Sequence, residues 1–186
     1  MRTTFDVSPL VVQTAQIAGG ISTDEFDRPV IAAWAWGLIE KGVVATNLGV
    51  LANEAKVLGP SELGAEIRLA FDALNLGLPS DRYDGNALFL YGHLALAWHD
   101  DRELEQTILR EARGNFETQP LYDLAHVLSD LEEFGYPHFH KDPDMNPDNR
   151  TVIVRRRCTE WLGRQSQMFY ACISSYMTLE NRMINA

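Results

Sequence analysis

Thiols are scarce: Cys158 and Cys172 are the two cysteines in 186 residues. A small secreted scaffold stapled by disulfides is thereby excluded. Basic residues are also short, 16 Lys and Arg against 26 Asp and Glu, for a net charge of −10. A duplex-binding surface needs clustered positive charge, so nucleic acid is not an expected partner. Long apolar runs are missing too. Two uncharged apolar stretches, Pro29–Ile39 and Gly85–Trp98, fall below the roughly 20 residues of a membrane-spanning helix. Nor does Met1–Val7 lead into the apolar core of a secretory signal. The expectation is a cytoplasmic protein with no membrane association. The nucleophile elbow, the P-loop, the dinucleotide glycine fingerprint, His-Glu-x-x-His and Cys-x-x-Cys are all absent, so the sequence specifies neither a reaction nor a cofactor.

What is present suits a folded core. The chain is 46% hydrophobic and 23% charged, and its length fits one domain spanning 1–186. Helical periodicity runs through nearly all of it. Ser8-Pro9 reads as a helix start, and Gly19-Gly20 as its stop. A second helix follows Asp27 with an apolar stripe of Val30, Ile31, Trp34, Ala35, Leu38 and Ile39. A third carries Val44, Leu48, Leu51, Ala55 and Leu58. A fourth, after Ser61, turns Leu63, Ile67, Ala70 and Leu74 inward. The fifth, about Asp84 to Trp98, is apolar all round, as a helix in the middle of a bundle would be. A sixth starts at Asp100-Asp101 and ends at Gly114, and a seventh runs from Gln119 to Phe134. No segment alternates as a strand does. The expected fold is all-α, a bundle or helical-hairpin array of seven or eight helices with a long last helix.

That last helix has the strongest pattern. Cys158, Leu162, Gln165, Phe169, Cys172, Tyr176, Leu179 and Met183 step by four and three, a heptad seam. The seam either packs inside the chain or forms a homodimer interface. In both cases the cysteines are buried as small apolar residues, too far apart along one continuous helix to pair. Charge is segregated as well. Residues 149–186 carry six arginines and two glutamates, a net +4, against −14 for the rest. The arginines are expected to dock on acidic helices, with an acidic small molecule at Arg155–Arg157 as an alternative.

Three places could hold chemistry. On the seventh helix Asp123, His126 and Asp130 share a face opposite Leu121, Leu124, Leu128 and Leu131. A carboxylate one turn from an imidazole can orient it and raise its basicity, which casts His126 as general acid/base with Asp130 or Asp123 positioning it. The alternative is a solvated polar face. On the fifth helix, His93 is either a core histidine bonded to a carbonyl or part of a ligand pocket with Tyr91, Trp98, Tyr122 and Tyr136. The loop Gly135–Pro147 supplies His138 and His140, two apart, which permits joint metal ligation or ligand contact. The Asp142-Pro-Asp144-Met-Asn146 run opens like a calcium loop but has Pro147 where glycine belongs and Ile153 where glutamate belongs, so no EF-hand forms.

Tyr122-Asp123-Leu124-Ala125-His126, followed by Leu131 to Phe134-Gly135, resembles a segment of an uncharacterised all-helical actinomycete domain family. That family carries Tyr-x-Leu-Thr-His and Asp-Phe-Gly at similar spacing. This chain has Ala125 in place of the threonine and Glu133 in place of the aspartate, and Ser166-Gln167-Met168-Phe169 where an acidic run is expected. Some members sit in gene clusters for modified peptides. The resemblance implies an accessory or tailoring protein of bacterial natural-product biosynthesis that binds a small molecule or peptide. A non-catalytic dimerisation protein and a small His/Asp metal protein are the alternatives.

Overall fold

The computed structural model describes residues 5–112, 119–136 and 145–184. Among these it contains nine α-helices and no strand, so the all-α class holds and the helix count rises above the expected seven or eight. Length alone suggests one domain; the contacts gather the residues into two compact units. The larger comprises Val7–Gly92 and Ser166–Ala186, the smaller Met1–Asp6 and His93–Gln165.

The larger unit begins with α1 (Pro9–Thr23). Ser8 caps it through a 3.4 Å bond from the Val11 amide to its Oγ, and Pro9 fits the first turn, where an N–H has no intrahelical partner anyway. The helix does not stop at Gly19-Gly20. Both glycines are buried inside it, and Asp24, at φ 58°, closes it instead. The reason is tertiary. A Cβ on Gly19 would lie 2.7 Å from both the Gly85 oxygen and the Phe89 nitrogen, so glycine here is what lets two helix backbones touch. Helix α2 (Arg28–Glu40) is capped by Asp27 and buries Ile31, Trp34, Ala35 and Leu38. Its Trp34 indole donates to Thr14 Oγ1 at 3.0 Å, and that hydroxyl donates to the Leu10 carbonyl at 2.7 Å.

Helix α3 (Thr46–Glu54) is shorter than its pattern implies. Leu48 and Leu51 are buried, but Val44 precedes the helix and is 96% exposed. Arg28 closes the far end: its Nη1 donates to the Ala55 and Leu58 carbonyls at 2.6 and 2.7 Å, groups a helix end otherwise leaves unsatisfied. Helix α4 (Pro60–Leu74) buries Leu63, Ile67, Ala70 and Leu74, the face its periodicity requires. Helix α5 (Arg82–Ala97) contributes residues up to Gly92 to this unit and the rest to the other. It is not apolar-buried all round: Leu88, Leu90, Tyr91 and Leu94 are enclosed, whereas Leu96 is 58% exposed.

The long last helix is two helices, α8 (Arg150–Leu162) and α9 (Gln167–Ile184). Gly163 weakens the run, and Ser166 Oγ then accepts from the Phe169 amide at 3.1 Å and starts a new helix. The heptad seam therefore survives only in part. On α9, Phe169, Cys172, Tyr176 and Leu179 are buried, and α9 packs on α1. Tyr91 meets Phe169 edge-on at 5.8 Å, Phe71 meets Tyr176 at 6.1 Å, and the Tyr176 hydroxyl donates to the Gly77 carbonyl at 2.8 Å. Phe169, Cys172, Tyr176 and Leu179 are thus enclosed within the chain, while Met183 at the end of the seam is half-buried.

In the smaller unit α6 (Asp101–Glu111) packs on α7 (Gln119–Phe134), and α7 on α8. Asp100 Oδ1 caps α6 through the Arg102 and Glu103 amides at 2.9 and 3.1 Å. The residue expected to end α6, Gly114, lies outside the described residues, and the last α6 residue is Glu111. The arginines of α8 dock as their charge implies. Arg150 forks onto the buried Glu105, with its Nε 2.9 Å from Oε1 and its Nη2 on Oε2. Arg155 holds Asp101 at 2.6 Å and the Trp98 carbonyl at 2.8 Å while its guanidinium lies 4.6 Å over the Trp98 ring. Arg156 and Arg157 pair locally with Glu160. No helix among the described residues is long and apolar enough to cross a membrane.

Candidate functional site

The residues singled out by sequence are divided between the two units. Tyr91 belongs to the larger one, where its buried ring packs on Phe169, and burial drives its phenol well above the ordinary range. His93, Trp98, Tyr122, Asp123, His126, Asp130 and Tyr136 belong to the smaller one. His138, His140 and most of the loop from Gly135 to Pro147 lie outside the described residues, as do Asp142 and Asp144.

Within the smaller unit the α7 face is realised unevenly. His126 is exposed, Asp123 half-buried and Asp130 buried at 8% exposure. Tyr122, one turn before His126, meets the imidazole edge-on with ring centroids 4.5 Å apart, so the histidine is oriented by an aromatic neighbour. His93 sits at the edge of the core rather than deep within it. It is half-buried, and its Nδ1 lies 3.8 Å from Glu111 Oε1, which Arg110 Nε also contacts at 2.6 Å. Trp98 packs against the tilted Phe5 ring, 4.7 Å away, and carries the Arg155 guanidinium 4.6 Å over its own ring. Among the described residues no three His, Cys, Asp or Glu side chains gather as a metal site.

Neither cysteine is a nucleophile in waiting. Both are free and buried. Burial raises the Cys158 thiol from 9.0 to about 12, against a smaller lowering by Arg155. Burial likewise raises Cys172 to about 11, with the Tyr176 hydrogen bond acting the other way and the Asp84 charge adding to the rise. Ellman's reagent at neutral pH should leave both thiols unmodified in the folded protein and modify both in denaturant; rapid reaction of the folded protein would contradict this burial. The sign of the pH effect follows. The thiol stays protonated longer in the folded state than in the unfolded one. Its stabilising contribution is whole below about pH 9 and is lost as pH rises towards 11 and 12. Chemical denaturation should show stability falling over that window by on the order of 1 kcal/mol or more per pH unit.

A cleft that the sequence does not announce lies inside the larger unit. It has a volume of about 330 Å³. One wall is the end of α1 and the turn after it, with Ile21, Asp24 and Phe26. The other is one face of α4, where Pro60, Ser61, Gly64, Ala65 and Arg68 succeed one another at helical spacing. Each feature has a local cause. Asp24 takes the left-handed conformation that ends α1, which Asp tolerates better than most residues. Gly64 faces Phe26, whose Cζ would be in ordinary 3.5 Å contact with a Cβ there. Gly59 caps α4 without a side chain, and Glu62 Oε2 folds back onto the Gly59 amide at 3.0 Å. Among the described residues, neither Asp24 nor Arg68 has an ion pair or side-chain hydrogen bond. The one hint in the sequence is the row of small and polar residues on α4 opposite its leucines.

Comparison with family models, with curated proteins and with solved structures finds no match to this chain.

Proposed function

We propose that this chain is a small-molecule-binding protein whose ligand site is the cleft between α1 and α4. The observation that carries this reading is the cleft itself. Its volume of about 330 Å³ sits at the lower end of the roughly 300–1,000 Å³ of ligand pockets, and it combines apolar surface with two exposed opposite charges that have no partner among the described residues. Apolar surface supplies the affinity in such a site, and a few polar groups set orientation. The broader setting, an accessory or tailoring role in bacterial natural-product biosynthesis with a small molecule or peptide as ligand, rests on the Tyr122–Gly135 resemblance.

Ala65 provides the test. It lines the cleft from an exposed helical position, so Ala65→Trp fills the space at little cost to the helix. In a thermal-shift screen of small molecules and short peptides, true ligands raise the melting midpoint of the wild type and leave that of Ala65→Trp unmoved. A ligand present at a hundred times its Kd adds about 2.7 kcal/mol of stability. Hits that stabilise both proteins equally would place the ligand elsewhere. His126→Ala, tested on the same ligands, should change nothing, because α7 belongs to the other unit; loss of binding on that substitution would favour the acid/base face of α7 instead.

A further inference from the structure

We infer that the cleft between α1 and α4 takes a small zwitterion, its cationic end on Asp24, its anionic end on Arg68 and its apolar body against Ile21 and Phe26; this deepens, and rests on, the reading of the cleft as the ligand site. The lining carries one carboxylate and one guanidinium, each from a different wall. Asp72 stands one turn beyond Arg68, the spacing of a helix ion pair, yet no such pair forms among the described residues. Asp24 and Arg68 are both exposed at the rim of the cleft, where each can meet an opposite charge on a ligand. A neutral ligand would pair with neither charge and forgo the attraction of both. A simple anion would pair with Arg68 and face the Asp24 carboxylate, and a simple cation would meet the reverse mismatch. A molecule bearing an ammonium and a carboxylate pairs with both, through charge-assisted hydrogen bonds stronger than neutral ones. Arg68 offers a forked donor set suited to a carboxylate, and the half-buried ring of Phe26 offers apolar surface between the charges.

Calorimetric titration of the full chain tests this with L-phenylalanine, L-phenylalanylglycine and L-phenylalanyldiglycine, which space the same two charges progressively further apart. At least one should bind the wild type, and Ala65→Trp should abolish that binding. N-acetylation or C-terminal amidation of the bound probe should each weaken it about three- to fivefold. Arg68→Gln should weaken the free peptide by a similar factor and then make amidation almost without effect. Asp24→Asn, which keeps a residue tolerant of the left-handed conformation, should do the same for N-acetylation. If the masked probes bind as well as the free one and Ala65→Trp still blocks them, the charge assignment is overturned and the ligand cleft stands. Phenylacetamide serves as the neutral control: if it binds in an Ala65-dependent way while no zwitterion does, the zwitterion is likewise excluded and the cleft retained. If neither the zwitterions nor phenylacetamide bind, both readings fall together.

Discussion

Gly19→Val is expected to lower stability by about 3 kcal/mol, a fall in melting midpoint of roughly 6–12 °C for a chain of this length. The first atom added at Gly19 would come within 2.7 Å of the Gly85 carbonyl oxygen and the Phe89 amide nitrogen, and within 2.9 Å of Phe89 Cβ. Two of those three are backbone atoms that cannot swing aside, so α1 and α5 must separate and loosen the packing around them. Gly37 supplies the contrast. It is equally helical, on α2, but a Cβ there would have nothing within 4 Å. Gly37→Ala should therefore raise stability by about 0.5–1 kcal/mol, the usual gain from relieving a helix of glycine. Thermal unfolding followed by circular dichroism reads both. Equal and small effects at the two positions would mean that α1 and α5 do not touch at Gly19.

Trp34→Ala should cost about 4 kcal/mol, the larger part of it as a cavity. The side chain is 1% exposed, lies 5.7 Å from the Phe71 ring and donates its indole N–H to Thr14. Trp34→Phe separates the contributions. It keeps much of the ring and removes the donor. Thr14 still donates to the Leu10 carbonyl at 2.7 Å, so the loss should be nearer 1 kcal/mol. Denaturant unfolding at constant slope tests the ordering. Equal losses for the two variants would show that the hydrogen bond, not the packing of the indole, secures α2 against α1.

These two positions also show what could be read from the sequence. The apolar stripe that buries Trp34 is a local pattern repeating every three to four residues, and the structure keeps it. The same holds for the inner faces of α4 and α7 and for the burial of both cysteines. Glycine is different. A glycine pair is an equally good sign of a helix end or of a close crossing, and only the partner helix decides. Gly19-Gly20 is therefore interior while the single Gly163 marks a true break. The docking of Arg150 and Arg155 on acidic α6 was legible as charge segregation. The cleft was not, because Asp24 and Arg68 lie in no motif and become neighbours of one cavity only through the packing of α1 and α4. On α7 the spacing placed Asp123, His126 and Asp130 on one face but could not assign Tyr122 as the aromatic neighbour of the imidazole.

The assignment of α9 to the unit that begins at Val7 has a consequence for synthesis. Gly77 gives its amide to Ser175 and its carbonyl to Tyr176, partners almost a hundred positions further along. The ribosome must add roughly 70 residues between Gly92 and Ser166 before those partners exist, which at about 5–20 residues per second takes on the order of 4–15 seconds. Throughout that interval the nascent α1–α5 segment holds Tyr91 and Phe71 without the aromatic rings of α9 that enclose them in the finished protein. The half-made chain is the form most exposed to chaperones and to aggregation, and a ligand for the α1–α4 cleft would be able to meet it before α9 has been translated.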